Sequence, residues 1–428
     1  MDRIELHDVE YGDCTVLVGR DQSILMVDCG SVSQYTRQDD TEMDARFRAV
    51  FARYAAAAKR QFLLTHYHRD HMNGFLKKLR QDPGYFDRVY IPALPGGVNG
   101  NPMLELAVFS RFFTAPQGDF AQMNTTCLTI FELLHNTVGA ERIFTLRAGD
   151  VFSFDHVQYG VLSPDTADFP YAPLLLETVS ALNGALAPFP AAGEFLRLKG
   201  EFIRAYTDCQ RAFSPQNRET NSALHARLDS LSALWADLEQ TRSTLEFLPA
   251  AETVRALLCD SAVRALYTET QNDLSLVFHT LRRTASNADI LLLGDASAAV
   301  LNRLVPKLYD SYFVVKAPHH GTESHYADVL GQLTVSHLLI SNGDYHAGGG
   351  ISGRYSAMES IKHCTNRSAC GWFRENQSCC NRLLRCYEQP AAGSLTLKCT
   401  AAAGNRRTPC GIYVFGRNGV RACHCDRV

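Results

Sequence analysis

The sequence has no apolar run approaching the roughly 20 residues that a membrane-spanning helix needs, so no membrane span and no membrane partner are expected. Its first residues, Met1-Asp2-Arg3-Ile4-Glu5, are charged and strand-patterned and give no sign of a secretory leader. Cytoplasmic residence is the expectation. An excess of charge of one sign is missing as well. With 42 basic and 45 acidic residues the formal net charge is −3, which gives no general pull toward nucleic acid or anionic lipid and leaves only a local basic groove open. Fourteen cysteines are present, yet no C-x-x-C pair occurs. Nine of them fall in the tail, at Cys364, Cys370, Cys379, Cys380, Cys386, Cys399, Cys410, Cys423 and Cys425. For a cytosolic chain that pattern favours free thiols over disulfides, with a structural zinc as the alternative.

What is present describes a globular enzyme-sized chain. At 428 residues with 46% hydrophobic and 20% charged residues, it can build two or three ordinary domains, or a large one with an insertion. Its densest chemistry lies in Thr65-His66-Tyr67-His68-Arg69-Asp70-His71, directly after apolar Phe62-Leu63-Leu64. In an extended chain, positions i and i+2 point the same way, so His66 and His68 can reach one ion together. Asp70 and His71 then turn the corner toward a second. A solvated strand-to-helix turn has no need of such a cluster, so the stretch reads as a metal site. Imidazole and carboxylate ligands suit zinc first, one ion or two, with manganese or iron as alternatives.

H-x-H-x-D-H at the end of a buried strand resembles the signature of the metallo-β-lactamase superfamily. Further segments follow in the order that superfamily shows. Val9-Glu10-Tyr11-Gly12-Asp13-Cys14-Thr15 resembles the opening of its DNA-uptake branch, the ComEC/Rec2-like proteins. Gln271-Asn272-Asp273-Leu274-Ser275-Leu276-Val277 resembles that branch's N-x-x-S-L-V strand. Ile290-Leu291-Leu292-Leu293-Gly294-Asp295 matches the L-x-G-D context of the family's bridging aspartate. Lys316-Ala317-Pro318-His319-His320-Gly321-Thr322 resembles K-x-x-H-H-G-S, with threonine in place of serine. A histidine that completes the first metal's ligands in many members is replaced near Asn272, which is a poor zinc ligand.

The resemblance implies an α/β protein of the four-layer αββα metallo-β-lactamase fold, covering 1–164 and 271–350. It assigns His66 and His68 to a first metal, Asp70, His71 and His320 to a second, and Asp295 to the bridge. Adjacent residues of an extended chain point to opposite sides, so only one of His319 and His320 is expected as a ligand. Alignment on the glycine favours His320, leaving His319 to contact a scissile phosphate or to protonate a leaving group. Asp70 could also orient the attacking water. His346, in Tyr345-His346-Ala347-Gly348, is a candidate substrate contact or an ordinary loop residue. Asp28, at the mouth of the Ile24–Val27 strand, is expected to hold loop backbone.

Two regions lie outside that core. Between 165 and 270, Phe195, Leu198, Phe202 and Tyr206 form one helical stripe, and Leu224, Leu228, Leu231, Trp235 and Leu238 form another. They predict a helical insertion, packed on the domain or on a second copy in a homodimer, or serving as a lid. Residues 351–428 form a cysteine-rich basic extension with nine arginines from Arg367 to Arg427, able to cover sheet edges or to hold nucleic acid. The expected activity is therefore metal-dependent hydrolysis of a phosphodiester, nucleic acid included, by a metal-activated water. A lactone or other small ester is the alternative substrate, and a catalytically weak metal-binding regulatory module is the non-enzymatic one.

Overall fold

The computed structural model describes residues 1–32, 41–96, 100–114, 134, 139–281, 289–343, 350–365, 411–416 and 419–423. The segment 126–137, whose sequence reads as helical, lies outside these residues apart from Leu134. So do His346 and most of the cysteine-rich tail.

In chain order the strands and longer helices begin with β1 (Arg3–His7), β2 (Thr15–Val18), β3 (Ile24–Val27), α1 (Thr41–Arg53), β4 (Arg60–Leu63), α2 (Arg69–Gln81) and β5 (Arg88–Pro92). After α3 (Pro102–Phe113) and β6 (Ile143–Leu146) come β7 (Val151–Phe154) and β8 (Val157–Ser163). Five helices follow: α4 (Pro173–Leu186), α5 (Gly193–Phe213), α6 (Asn221–Gln240), α7 (Ala251–Cys259) and α8 (Ser261–Asp273). The chain continues through β9 (Val277–Thr280), β10 (Ile290–Leu292), α9 (Ala298–Leu304), β11 (Ser311–Lys316), β12 (Thr334–Ile340) and β13 (Ile361–Cys364). It closes with the hairpin β14 (Gly411–Gly416) and β15 (Gly419–Cys423).

These elements form two compact units. The first comprises Met1–Tyr90, Ala148–Ser163 and Ser275–Val428. One of its sheets runs β15-β14-β1-β2-β3-β4-β5 and the other β13-β12-β11-β10-β9-β8-β7. In one sheet β14 pairs parallel with β1, β1-β2-β3 run antiparallel and β3-β4-β5 parallel; in the other, pairing changes from antiparallel to parallel at β10–β11. Parallel neighbours need a crossover, and α1, α2 and α9 supply three of them. Their apolar faces explain why they dock. Phe75 of α2 stacks on Phe62 of β4 with ring centroids 3.8 Å apart. Val300, Leu301 and Leu304 of α9 enter the core with Val315 and Leu338. Strands buried on both faces read as apolar runs, which is how Ile24–Val27 and Ile290–Leu293 appear.

The second unit comprises Ile91–Arg147 and Pro164–Leu274. Both helical stripes are present: Phe195, Leu198, Phe202 and Tyr206 are buried on α5, and Leu224, Leu228, Leu231 and Leu238 on α6. Trp235 packs its ring 5.1 Å from Phe202 and 5.8 Å from Phe112 of α3. A buried ion pair, Lys199 with Glu105, is shared with the Asn183 carboxamide and ties α5 to α3 and α4. One expectation is corrected here. Gln271, Asn272 and Asp273 finish α8 instead of opening a strand, which begins only at Val277. Asp260 caps α8 by accepting from Ala262 and Val263 N–H, and the buried series Val263, Tyr267, Thr270 and Gln271 keeps a helical period to its end. Among the described residues, no helix is long and apolar enough to cross a membrane.

Candidate metal centre

In the first unit, the chemistry-bearing side chains gather beyond the carboxyl ends of parallel strands. That is where open α/β sheets leave room for a ligand. Strand β4 runs into His66 and His68, and the first turn of α2 carries Asp70 and His71. Strand β10 leads to Asp295, and β11 leads to His319 and His320. One oxygen or nitrogen each from Asp70, His71, Asp295 and His320 lies within 4.8 Å of the others. His71 Nε2 is 3.1 Å from Asp295 Oδ2, and His320 Nε2 is 3.0 Å from Asp70 Oδ2. His66 Nε2 stands 3.0 Å from His68 Nδ1 and 3.8 Å from Asp295 Oδ2. The His66/His68 pair thus adjoins the other four groups through Asp295, the position expected of a bridge.

The far sides of these rings fix their tautomers. His71 Nδ1 donates to Asp28 Oδ2 at 2.8 Å, and His320 Nδ1 donates to the Ser341 carbonyl at 3.1 Å. A donor engaged at Nδ1 leaves Nε2 as the atom turned into the cluster, the position from which a metal would be ligated. Asp28 is itself anchored, accepting from Thr65 N–H and from the Thr65 hydroxyl, each at 2.7 Å. The Asp295 N–H donates to Ser275 Oγ at 3.0 Å. Tyr11 lies against the His320 ring at 4.4 Å, and the Asn342 amide donates to the His320 carbonyl. Below the cluster, buried Lys316 pairs with Asp13, whose N–H donates to the Asp70 carbonyl at 3.0 Å.

Electrostatically the cluster favours positive charge at its centre. Burial works against charge on His71, but the carboxylates of Asp295, Asp28 and Asp70 outweigh it and raise its pKa well above the usual value. Burial also works against ionisation of Asp70 and Asp295. The neighbouring His71 and His320 prevail, and both carboxyls are held below the ordinary range. Burial lowers the pKa of His66 and His68, which keeps their lone pairs available. Two buried atoms, His68 Nε2 and Asp295 Oδ1, have no hydrogen-bond partner among the described residues. Converging imidazoles, carboxylates held in their ionised form and orphaned ligand atoms together fit a divalent cation of the zinc, manganese or iron kind, which on binding would displace the proton that the carboxylates hold on His71. A second group of suitable atoms, Asp13, Asp28 and His71, fits less well. Lys316 already pairs with Asp13, and Thr65 and His71 occupy Asp28.

The structure brings His66, His68, Asp70, His71, Asp295 and His320 close together. It changes the account of His319 and His320. These residues do not continue an extended chain; both have positive φ, 45° and 57°. The tight turn that results sends both rings to the same side. His320 is buried, while His319, with 24% of its side chain exposed, places Nε2 3.9 Å from Asp295 Oδ2. The His319 ring lies tilted against His325 with centroids 3.8 Å apart, and its Nδ1 hydrogen-bonds with the Thr322 hydroxyl at 2.8 Å. Asn272 belongs to the second unit. Among the described residues, the ring neighbours of His66 are His68 and His71. Sequence reasoning gave Asp28 a role in loop backbone but missed its bond to His71, and it missed the Asp13–Lys316 pair altogether. Buried carboxylates at strand ends were the available signal.

No family model and no curated protein matches the chain. Among solved structures it is similar to a subclass B3 metallo-β-lactamase isolated from a soil metagenome library, at 11% sequence identity over 56% of this chain and 93% of that one. The TM-score is 0.19, and at that value the likeness carries no argument about fold or activity.

Proposed function

We propose that the first unit is a metal-dependent hydrolase whose substrate is a phosphodiester, nucleic acid included. One observation carries the metal part. Imidazoles and carboxylates from three separate chain segments, 66–71, 295 and 319–320, converge with their ligand atoms facing one another. The order of the motifs supports the four-layer αββα arrangement and the assignment to the metallo-β-lactamase superfamily. The phosphodiester part rests on the resemblance of the 9–15, 271–277 and 316–322 segments to the DNA-uptake branch.

In this reading His66 and His68 would hold one ion and Asp70, His71 and His320 a second, with Asp295 shared between the two sets. Such a metal would supply a water acidified toward a pKa of about 7 and positive charge against a phosphoryl oxygen. The chain does the rest. Asp28 and the Ser341 carbonyl keep His71 and His320 in the required tautomer. Asp70 accepts a hydrogen bond from the attacking water and aligns it. Burial lowers the His319 pKa to about 4, so the ring is neutral near pH 7. In the tautomer whose Nδ1 accepts from the Thr322 hydroxyl, Nε2–H donates to a substrate oxygen. His346 is a further candidate for substrate contact.

The test is hydrolysis of a generic phosphodiester, and of single- and double-stranded DNA, by metal-stripped protein re-supplied with zinc or manganese. Metal-dependent cleavage that disappears in His68→Ala and Asp295→Asn is the expected result. Stoichiometric metal without turnover on any of these substrates would reject the phosphodiester reading, and lactones would be assayed next.

A further inference from the structure

The metal centre borders on a second set of ligand atoms that the hydrolase reading does not use. One oxygen or nitrogen each from Asp13, Asp28 and His71 lies within 4.8 Å of the others, and all three residues are buried. His71 belongs to both sets. Its Nε2 faces Asp295 at 3.1 Å and its Nδ1 faces Asp28 at 2.8 Å. An ion on the Asp28 side would displace the Nδ1–H of His71. It would also use up the carboxylate that orients this ring toward the metal centre.

What accompanies this second set is an ammonium group. Lys316, the last residue of β11, is 2% exposed and pairs with Asp13 Oδ2. Its Nζ also donates to the Ala317 carbonyl at 3.3 Å. Burial works against its charge, but Asp13, Asp295 and Asp28 outweigh it and raise its pKa. The other oxygen of Asp13 is held only by the Thr15 hydroxyl, at 3.3 Å. Neighbouring buried carboxylates are costly without a cation. A free divalent ion or a tethered ammonium can each supply the charge, and this chain carries the tethered one. A charged lysine has donors and no lone pair, so it balances Asp13 without opening a coordination site.

We propose that Lys316 is a tethered cation that keeps metal ions out of the Asp13–Asp28–His71 set, and so keeps Asp28 and His71 committed to the metal centre. Its benefit to hydrolysis rests on the function proposed above, whereas the exclusion follows from the buried charges and is tested without turnover. Replacing Lys316 with a neutral side chain should turn the set into an additional metal site.

The measurement is the number of manganese ions bound per chain, by elemental analysis after dialysis of metal-stripped protein against manganese. It compares the parent, Lys316→Leu, and Lys316→Leu combined with Asp13→Asn. Leucine carries no ligand atom and is shorter than lysine. Lys316→Leu should hold one ion more than the parent, and manganese should raise its melting temperature by more than it raises the parent's. Adding Asp13→Asn should return both readings to those of the parent. Should Lys316→Leu fail to fold, Lys316→Gln, whose amide still donates to Asp13, carries the same expectation. An unchanged count in the folded variant, or an extra ion that survives Asp13→Asn, would overturn the proposal. A parent that binds no manganese would count against the metal centre, while the difference between parent and variant would still decide the role of Lys316.

Discussion

Asp28 does more for the metal centre than its place at a strand end suggests. Its carboxylate takes two bonds from Thr65 and one from His71 Nδ1–H. Asp28→Asn can keep the Thr65 contacts but turns an amide donor toward His71. Outer partners of this kind set metal affinity by roughly 10–100-fold, so a loss in that range is expected, measured as zinc affinity by competition with a chelator. Lys316 makes the second residue-scale case. It is buried against Asp13, and removing one partner of a buried pair typically costs about 3–5 kcal/mol. Lys316→Met should therefore destabilise in denaturant titration. Adding Asp13→Asn should recover part of that loss, because the stranded carboxylate is then neutral. Neither contact is written in local sequence, since the partners stand 43 residues apart in one case and about 300 in the other. By contrast, His66, His68, Asp70 and His71 are legible because spacing along six residues dictates where they point. The positive φ of His319 and His320 could not be read, because residues with a Cβ rarely adopt it.

Elements hold these residues in place through close backbone approach. Gly30 follows β3 and lies under the first turn of α2. A Cβ there would fall 2.5 Å from Met72 N and 2.6 Å from the Arg69 carbonyl. Gly30→Ala should push the start of α2, and with it Asp70 and His71, outward. A lowered melting temperature with weaker metal binding is expected, whereas a purely local effect would lower stability alone. Strand β1 shows how an element titrates. Its His7 is buried and bonded to the Tyr54 hydroxyl at 2.5 Å, and burial lowers its pKa to about 4. The unfolded chain, with a histidine pKa near 6.5, then binds more protons than the folded one between those values. Stability accordingly falls as pH drops from about 6.5 to about 4, and this contribution levels off below. Urea titrations across that window should give a shallower pH slope for His7→Gln. Glu5 acts lower down. Burial opposes its charge, but Arg53 and Tyr54 prevail and hold its pKa near 2, so its contribution is lost only as pH falls from about 4.5 through 2.

At the scale of the whole molecule, the core strands were legible as apolar runs and the helices of 173–273 from their helical stripes. The composition of the second unit was not. Residues 91–147 pack with 164–274, and that association depends on pairs such as Glu105 with Lys199 that no periodicity announces. In the first unit, the proposed metal centre draws its ligands from three distant segments. Metal content of the purified protein, dialysed against zinc and measured by elemental analysis beside Asp295→Asn and His71→Ala, tests it most directly. One or two ions per chain in the parent, and a clear loss in both variants without loss of fold, is the predicted result. Zinc at background level in the parent, or equal zinc in all three proteins, would contradict it.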